Sequence, residues 1–236
     1  MSTVVWLFGR GASIECGLTW CESEYARGLE REERTRLIET ELQCEMLKPH
    51  INTAIYRNLI QNLNNQTPVG SQHLFITTNW DYLLQKEIDA HIKQIRPGHK
   101  PSWLLNSRVY HINGSVEPVD KANRTPMYFE TDLYDARRQS QEMNKALGYL
   151  IWEKCIVVIG MSLKCPMDNA LICYLGQHQD NLPVGEATWN VVNPDTSDLE
   201  ETCMLLRRAL PRASINRFVN TFSKWLEMDK AEQCYA

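Results

Sequence analysis

Short apolar runs separated by long helical stretches set the pattern of this chain. Four of these runs do not alternate between apolar and polar positions: Val4 to Phe8, Leu74 to Ile76, Ile156 to Ile159 and Trp189 to Val192. Continuous apolar runs of this length are typical of strands covered on both faces, as in a parallel sheet. A fifth, more polar candidate strand runs from Arg108 to Ile112.

Helical patterns fill the intervals between the predicted strands. Residues 22 to 46 are rich in Glu, Arg and Leu, and Pro49 is placed to open a second helix whose apolar positions recur every four residues. Further helices are predicted at residues 132 to 153, 167 to 176, 198 to 209 and 214 to 228. Alternation of strands and helices predicts a single α/β domain over residues 1 to 236 with a parallel sheet and a helical insert at about 21 to 65.

Composition and charge narrow the class of protein. The 236 residues are 43% apolar, which is enough for one sizeable core, and no apolar run approaches the roughly 20 residues that span a bilayer. A net charge of −4 gives no general attraction to nucleic acid or to acidic membranes. The start of the chain lacks a basic leader, and its eight cysteines form no Cys-x-x-Cys pair. We therefore expect a soluble, cytoplasmic protein with reduced thiols, no membrane or direct nucleic-acid partner and no bound metal.

Small or polar residues follow each of the five predicted strands. In chain order these segments are Gly9 to Ser13, Thr77 to Asp81, His111 to Ser115, Gly160 to Leu163 and Asn193 to Asp195. Ligands of open parallel sheets bind beyond the carboxyl ends of the strands. The five segments therefore predict one common crevice.

Two of these segments carry recognisable binding chemistry. Glycines in the segment Gly9 to Ser13 let backbone N–H groups approach a diphosphate, although a tight strand-to-helix turn would have the same sequence. The segment contains neither a complete Gly-x-Gly-x-x-Gly nor a Walker lysine, so ordinary dehydrogenases and P-loop NTPases fit poorly. Asn79 and Asp81 point to one side of an extended chain. Asn79 is suited to orient a water or a ribose hydroxyl, whereas Asp81 either accepts from sugar hydroxyls or caps a helix.

Taken together and in this order, the motifs resemble the sirtuin-like family (silent information regulator type), in particular its bacterial branch of NAD-hydrolysing domains used in anti-phage defence. The resemblance rests on five elements: Phe8 to Ser13 with Cys16 to Leu18, Ile76 to Asp81, Val109 to Ser115, Thr131 to Tyr134, and Ile159 to Leu163 with Asp168. It implies a Rossmann-like open parallel sheet with helices on both faces, which binds NAD across the strand ends.

The resemblance also assigns roles to individual residues. It implies that Asn79 is catalytic, with Asp81 beside it. The residues that it implies for cofactor binding are Gly9, Gly11, Ala12 and Ser13 at the diphosphate, and Gly160, Ser162 and Asn193 on the adenosine side. Arg10 and Thr78 are further candidates for cofactor binding.

Two residues depart from the pattern of that family. The family usually has a histidine, acting as general base, where this chain has Asn113, and an amide has no useful basicity at neutral pH. His111 is expected on the same side of the strand, roughly 7 Å away, either as a substitute base or as a side chain packed on the sheet. Arg10 stands where small residues are usual, and it is expected either to clamp a diphosphate or to fill the site.

The implied reaction is hydrolysis of the nicotinamide–ribose bond of NAD to nicotinamide and ADP-ribose, without a metal. Asn79, Asp81, Asn113 and His111 are the candidate catalytic residues. The alternative is a protein that holds NAD or an ADP-ribose-type nucleotide without turnover and regulates assembly or a partner. Deacetylation is not expected, because the four-cysteine zinc module of the usual deacetylases is absent. Activation is expected to come from homo-oligomerisation through the helices at 21 to 65 or from a partner defence protein.

Overall fold

The computed structural model describes residues 2–95, 100–116, 126–129, 141–162, 166–177 and 187–228. Thr131 to Tyr134, Leu163 and the first part of the helix predicted at 132 to 153 lie outside these ranges. In the described ranges six parallel strands form one open sheet: β1 (Ser2–Phe8), β2 (Ser71–Thr77), β3 (Tyr110–His111), β4 (Cys155–Ile159), β5 (Thr188–Val192) and β6 (Ser214–Phe218).

The strand order across the sheet is β3-β2-β1-β4-β5-β6. This is the doubly wound, Rossmann-like order, in which the connections change direction between β1 and β4. Phe8, the last residue of β1, therefore lies opposite Thr77 on one side and Ile159 on the other. The loops that follow these three strands begin at the same level of the sheet, as the sequence predicts for a common crevice.

Helices surround the sheet. Their bounds are α1 (Arg10–Glu15), α2 (Glu24–Arg27), α3 (Arg31–Met46), α4 (Ala54–Gln66), α5 (Leu83–Ile95), α6 (Gln141–Trp152), α7 (Pro166–Gln177), α8 (Thr196–Ala209) and α9 (Phe222–Glu227). None of the helices in the described ranges has the length and apolar character that crossing a bilayer requires. The helical region predicted at 22 to 46 is divided at Gly28, which caps the end of α2.

The prediction that Pro49 opens the next helix is wrong, because α4 begins at Ala54. The Asn52 side chain accepts a hydrogen bond from the Ala54 N–H at 2.9 Å and thereby satisfies one of the donors at the start of this helix. Residues 18–46, which include α2 and α3, are called the cap below.

Alternate residues of β1 lie in two separate cores. Trp6 and Phe8 pack on the face covered by α3, α4, α5 and α9, whereas Val5 and Leu7 pack on the face covered by α6, α7 and α8. Successive side chains of a strand point to opposite faces of the sheet, so a strand with both faces covered is apolar throughout. This explains why the sequence of β1 shows no alternation.

The prediction of one helix over 214 to 228 is wrong in its first half. Ser214–Phe218 is strand β6, which pairs in parallel with β5, and Trp189 lies opposite Ile215. The edge of β5 that faces away from β4 has backbone groups that need hydrogen-bond partners, and β6 pairs with this edge. At the start of the pairing the Ser214 N–H donates to Ala187 O at 2.9 Å. Pairing with a strand that is distant in sequence satisfies these backbone groups, and it overrides the local pattern. The helical part is α9, whose N-cap is Thr221.

Candidate functional site

A cavity of about 590 Å³ lies beyond the carboxyl ends of β1 to β4, a size within the usual range of small-molecule sites. Its walls come from the strand ends, from the cap and from the start of α7. Of the residues predicted from the sequence, the lining includes Arg10, Ser13, Thr78, Asn79, Asp81, Asn113 and Ser162. The other predicted residues (Gly9, Gly11, Ala12, His111, Gly160 and Asn193) are not part of the lining.

The loops that follow β1 and β4 are bonded to each other beneath the cavity. The Gly9 N–H donates to Ile159 O at 2.9 Å, the Gly11 N–H donates to Gly160 O at 2.8 Å, and the Ala12 N–H donates to Gly9 O at 3.2 Å. In this arrangement these three N–H groups already have acceptors within the chain. The segment Gly9 to Ser13 therefore has the geometry of a tight strand-to-helix turn, which was the alternative to a phosphate cradle.

The glycines of this seam are required by close contact between backbones. A Cβ on Gly11 would lie 2.7 Å from the Gly160 Cα, and a Cβ on Gly160 would lie 2.5 Å from the Ala12 nitrogen. Gly160 also has a φ of +59°, a conformation that side-chain-bearing residues adopt at a cost. We call the contact between residues 9–12 and 159–161 the β1–β4 seam.

Arg10 extends from the β1–β4 seam to the cap. Its guanidinium donates to Trp20 O at 3.3 Å and to the Cys21 sulfur. No carboxylate of the described residues pairs with this cation, which lines the cavity. A guanidinium without a carboxylate partner is well suited to receive a phosphate or diphosphate group.

Asn79, Ser13 and Asp81 form a chain of hydrogen bonds along the cavity wall. The Asn79 amide nitrogen donates to Gly9 O at 3.0 Å and to the Ser13 hydroxyl at 2.9 Å, and that hydroxyl donates to Asp81 Oδ2 at 2.7 Å. Both bonds of Asn79 use its nitrogen, so its orientation is fixed. No donor among the described residues bonds to the Asn79 side-chain oxygen, which remains available as an acceptor.

Burial is the largest influence on the pKa of Asp81. Loss of hydration raises the pKa of this carboxyl above its usual value, while hydrogen bonds from Ser13 and from the Leu83 N–H oppose the rise. The Leu83 N–H, at the start of α5, donates to Asp81 Oδ1 at 3.1 Å. Asp81 thus has the helix-capping contact that the sequence offered as an alternative, and its other oxygen holds Ser13.

Asn113 is buried beside the cavity, with 3% of its surface exposed. Its amide nitrogen donates to Thr78 O at 2.8 Å, whereas its side-chain oxygen has no partner among the described residues. Its backbone oxygen accepts from the Trp80 indole N–H and from the Tyr128 N–H, each at 3.0 Å. The residue that stands at the position of the expected base is therefore fixed in place and unable to take a proton.

His111 lies within the sheet and not at the cavity. Its ring nitrogen Nδ1 is 3.3 Å from Asn79 O, and burial lowers its pKa to about 4. The ring is therefore neutral at pH 7, and the residues that line the cavity include no described histidine. This placement agrees with the packing interpretation of His111.

Asn193 joins the ends of β4 and β5. Its amide nitrogen donates to Met161 O at 3.2 Å, and its side-chain oxygen accepts from the Asp195 N–H at 2.9 Å. Ser162, which follows Met161 after β4, lines the cavity directly.

The sequence pattern does not predict the cap side of the cavity. This side is lined by Trp20, Glu22 and Arg27, which follow no strand. Asp168, which belongs to the motifs of the resemblance, lines the cavity from the first turn of α7. The available signal was the position of Trp20 to Glu22 directly after the Cys16 to Leu18 motif.

A doubly wound sheet with a cavity beyond its strand ends, lined in part by polar side chains, is the arrangement of α/β proteins of the nucleotide-binding class. A family model described as the SIR2-like domain matches residues 73–207, which is more than half of the chain. The chain belongs to the SIR2-like domain family. A search of curated proteins found no match. The family supports a sirtuin-like, NAD-binding domain; its matched segment contains Asn79, Asp81 and Asn113, while Arg10, Ser13 and the cap precede it.

Proposed function

We propose that this chain hydrolyses the nicotinamide–ribose bond of NAD, with water as the second substrate and nicotinamide, ADP-ribose and a proton as products. The observation that carries this proposal is the placement of Asn79. The side-chain nitrogen is held by Gly9 and Ser13, and the side-chain oxygen is left to accept a hydrogen bond in a cavity of about 590 Å³. An acceptor fixed in this way orients a water or a ribose hydroxyl with little further loss of its own side-chain entropy.

The remaining polar groups of the cavity would contact different parts of the nucleotide. Arg10 would receive the diphosphate, and Ser162, with Gly160 and Asn193 behind it, would border the adenosine side. Thr78 lies beside Asn79 in the lining. Asp81 acts through Ser13, because their 2.7 Å bond keeps the Ser13 hydroxyl in position to accept from Asn79.

Cleavage of the nicotinamide–ribose bond does not require a proton to be transferred to the leaving group. Nicotinamide leaves as a neutral molecule when the C–N bond breaks, and the positive charge passes to an oxocarbenium-like ribose. The protein contributes position and electrostatics at this step. The attacking water then gives its proton to solvent, since Asn113 cannot accept it.

Nucleotide binding without turnover is the second candidate function. It is favoured by the amide at position 113 and by the neutral, buried state of His111. Loss of a positioned general base typically costs about 10²–10⁴ in rate. A protein of this kind would hold NAD or ADP-ribose and regulate assembly or a partner.

Nicotinamide release and NAD binding, measured on the same preparations, separate these functions. We expect the wild type to release nicotinamide slowly, Asn79→Ala to lose about 10²-fold in rate while still binding ADP-ribose, and Asn113→His to gain rate. Asn58→Ala, on the exposed side of α4, is the matched control and leaves both readouts unchanged. Binding without release by the wild type and by Asn113→His would establish the second function. Absence of NAD binding would exclude both.

We further propose a role in anti-phage defence, on the strength of the resemblance to the NAD-hydrolysing defence branch. Cells that express the wild type should lose NAD and form fewer plaques during infection, whereas cells that express Asn79→Ala should not.

We also propose that the helices at 21 to 65 support a homo-oligomer or a partner contact. Light scattering at micromolar concentration that shows a fully active monomer would contradict the homo-oligomer.

A further inference from the structure

Arg34 contacts two side chains, Glu22 of the cavity lining and Phe129. It is buried in α3, and its Nε and Nη2 atoms donate to the two carboxylate oxygens of Glu22 at 2.5 and 2.8 Å. The guanidinium carbon also lies 4.1 Å from the centre of the Phe129 ring. A planar guanidinium can make a bidentate carboxylate contact and stack on an aromatic face at once, which a lysine ammonium cannot do.

Phe129 links Arg34 to Trp80, which follows β2. Its ring packs edge-on against Trp80, with ring centres 5.4 Å apart. The Trp80 indole N–H donates to Asn113 O at 3.0 Å, and the Trp80 carbonyl accepts from the Val116 N–H at 2.7 Å. Trp80, which lines the cavity, is therefore fixed between the loop after β3 and the Phe129 ring, over which Arg34 lies closer than Arg31 does.

Arg34 also affects the electrostatic potential of the cavity, because it neutralises Glu22 in the cavity lining. The Glu22 side chain lines the cavity and is 9% exposed, so its charge is poorly screened by water. Arg27 also approaches this carboxylate, at 3.4 Å, but its side chain is 59% exposed and contributes less. Without Arg34, Glu22 would present a poorly compensated negative charge to an anionic nucleotide.

We propose that Arg34 is a positioning residue of the nucleotide site, which neutralises Glu22 and holds Trp80 in place through Phe129. This inference rests on the proposed function, because its readouts are nucleotide affinity and turnover. Arg34 is not part of the cavity lining, so it would act on the nucleotide through Glu22 and Trp80. Its replacement is expected to raise Kd and KM more than it lowers kcat, since Asn79 and Ser13 keep their own contacts.

Four variants separate the two effects of Arg34. Arg34→Met removes the charge and the stacked plane, Arg34→Lys keeps the charge, Phe129→Leu removes the ring, and the pair Glu22→Gln with Arg34→Met removes both charges. Affinity for ADP-ribose is measured by calorimetry, and KM and kcat are measured by nicotinamide release. Arg36→Met is the matched control, because Arg36 lies in the same helix with a side chain that is 79% exposed.

We expect Arg34→Met to weaken ADP-ribose binding about tenfold, which corresponds to roughly 1.4 kcal/mol. The paired variant should regain about threefold of this affinity, because it removes the uncompensated charge of Glu22 but does not restore the plane stacked on Phe129. It should also be more stable than Arg34→Met, so the two variants are compared well below both melting temperatures, where each is fully folded and a merely structural role would give them equal affinity. Arg34→Lys and Phe129→Leu should each lose about threefold, because each removes one part of the arrangement. Arg36→Met should bind as the wild type does.

Wild-type affinity in Arg34→Met, or no recovery in the paired variant, would overturn the inference while leaving the proposed function intact. If Arg34→Met does not fold, Arg34→Lys and Phe129→Leu decide the matter, and wild-type affinity in both would overturn it. Failure of the wild type to bind ADP-ribose or NAD would refute the proposed function, and the inference would fall with it.

Discussion

His111, the last residue of β3, is buried in the sheet, with 3% of its surface exposed. Its pKa in the folded protein is lowered to about 4 by burial, whereas an unfolded histidine titrates near 6.5. Between these values the unfolded chain binds more protons than the folded chain. The stability that neutral His111 provides is therefore complete above about pH 6.5, and it is lost as the pH falls through about 4.

Replacement of His111 by Leu should flatten the acid side of the stability profile. The wild type is expected to lose roughly 3 kcal/mol more of its free energy of unfolding between pH 7 and pH 4 than His111→Leu does, because the difference in pKa is about 2.5. Urea denaturation at the two pH values measures this loss. Val109→Ala, a buried apolar control, should lower the free energy equally at both. Parallel profiles of wild type and His111→Leu would contradict the assignment.

Among the elements, β6 is the one whose identity most needs a test, since the local pattern favours a helix. The Ser214 N–H donates to Ala187 O, just before β5, and the carbonyl of Phe218 accepts from the Asn193 N–H, just after it. In a parallel strand, alternate residues direct their backbone groups to the same side. The backbone of Asn216 therefore faces β5, and the backbone of Arg217 faces the open edge.

Proline distinguishes a strand from a helix at these two positions. Asn216→Pro removes a ladder hydrogen bond and should cost about 1–3 kcal/mol more than Arg217→Pro, whose N–H points away from the sheet. Asn216→Ala accounts for the side-chain bond to Asn190 Oδ1 at 2.9 Å. Denaturant midpoints measure the three variants. Equal, small losses from both prolines are the result that a helix beginning at 214 would give, because the N–H groups of its first turn have no intrahelical acceptor.

The molecule as a whole depends on the β1–β4 seam, where the two halves of the sheet meet. Gly160→Ala places a Cβ 2.5 Å from the Ala12 nitrogen at a φ of +59°, so we expect a loss of about 3 kcal/mol or more. Gly148→Ala, in the middle of α6, is the matched control, because a Cβ there meets no atom of the described residues within 4 Å. That variant should gain about 0.5–1 kcal/mol. A thermal melt of both variants tests the contrast, and a Gly160→Ala protein as stable as wild type would refute it.

Sequence patterns predict those parts of the molecule that local residues determine. The runs around Val5, Ile76 and Val158 predict strands because burial on both faces leaves no polar positions, and a parallel sheet then brings Asn79, Asp81 and Asn113 to one edge. The neighbours of a residue in space are harder to predict. Ser214 becomes a strand residue through β5, and Arg34 depends on Phe129, which is remote in sequence.

The same limit explains the turn after β1. Glycines at 9 and 11 suit both a phosphate cradle and a backbone crossing, and the sequence offers no means of choosing between them. The choice follows from Gly160, which accepts the Gly11 N–H after a separation of about 150 residues. Tertiary pairing also brings Trp20 and Glu22 to the cavity, although no motif marks them.

The central position of β1 has a consequence for synthesis on the ribosome. Val4 of this first strand pairs with His73 on one side and with Cys155 on the other, so one edge of β1 has no partner until 151 further residues have been added. At about 5–20 residues per second this interval lasts roughly 8–30 s. During that time an apolar strand with an unfilled edge is open to association with other nascent chains, and chaperone supply should govern the yield of folded protein.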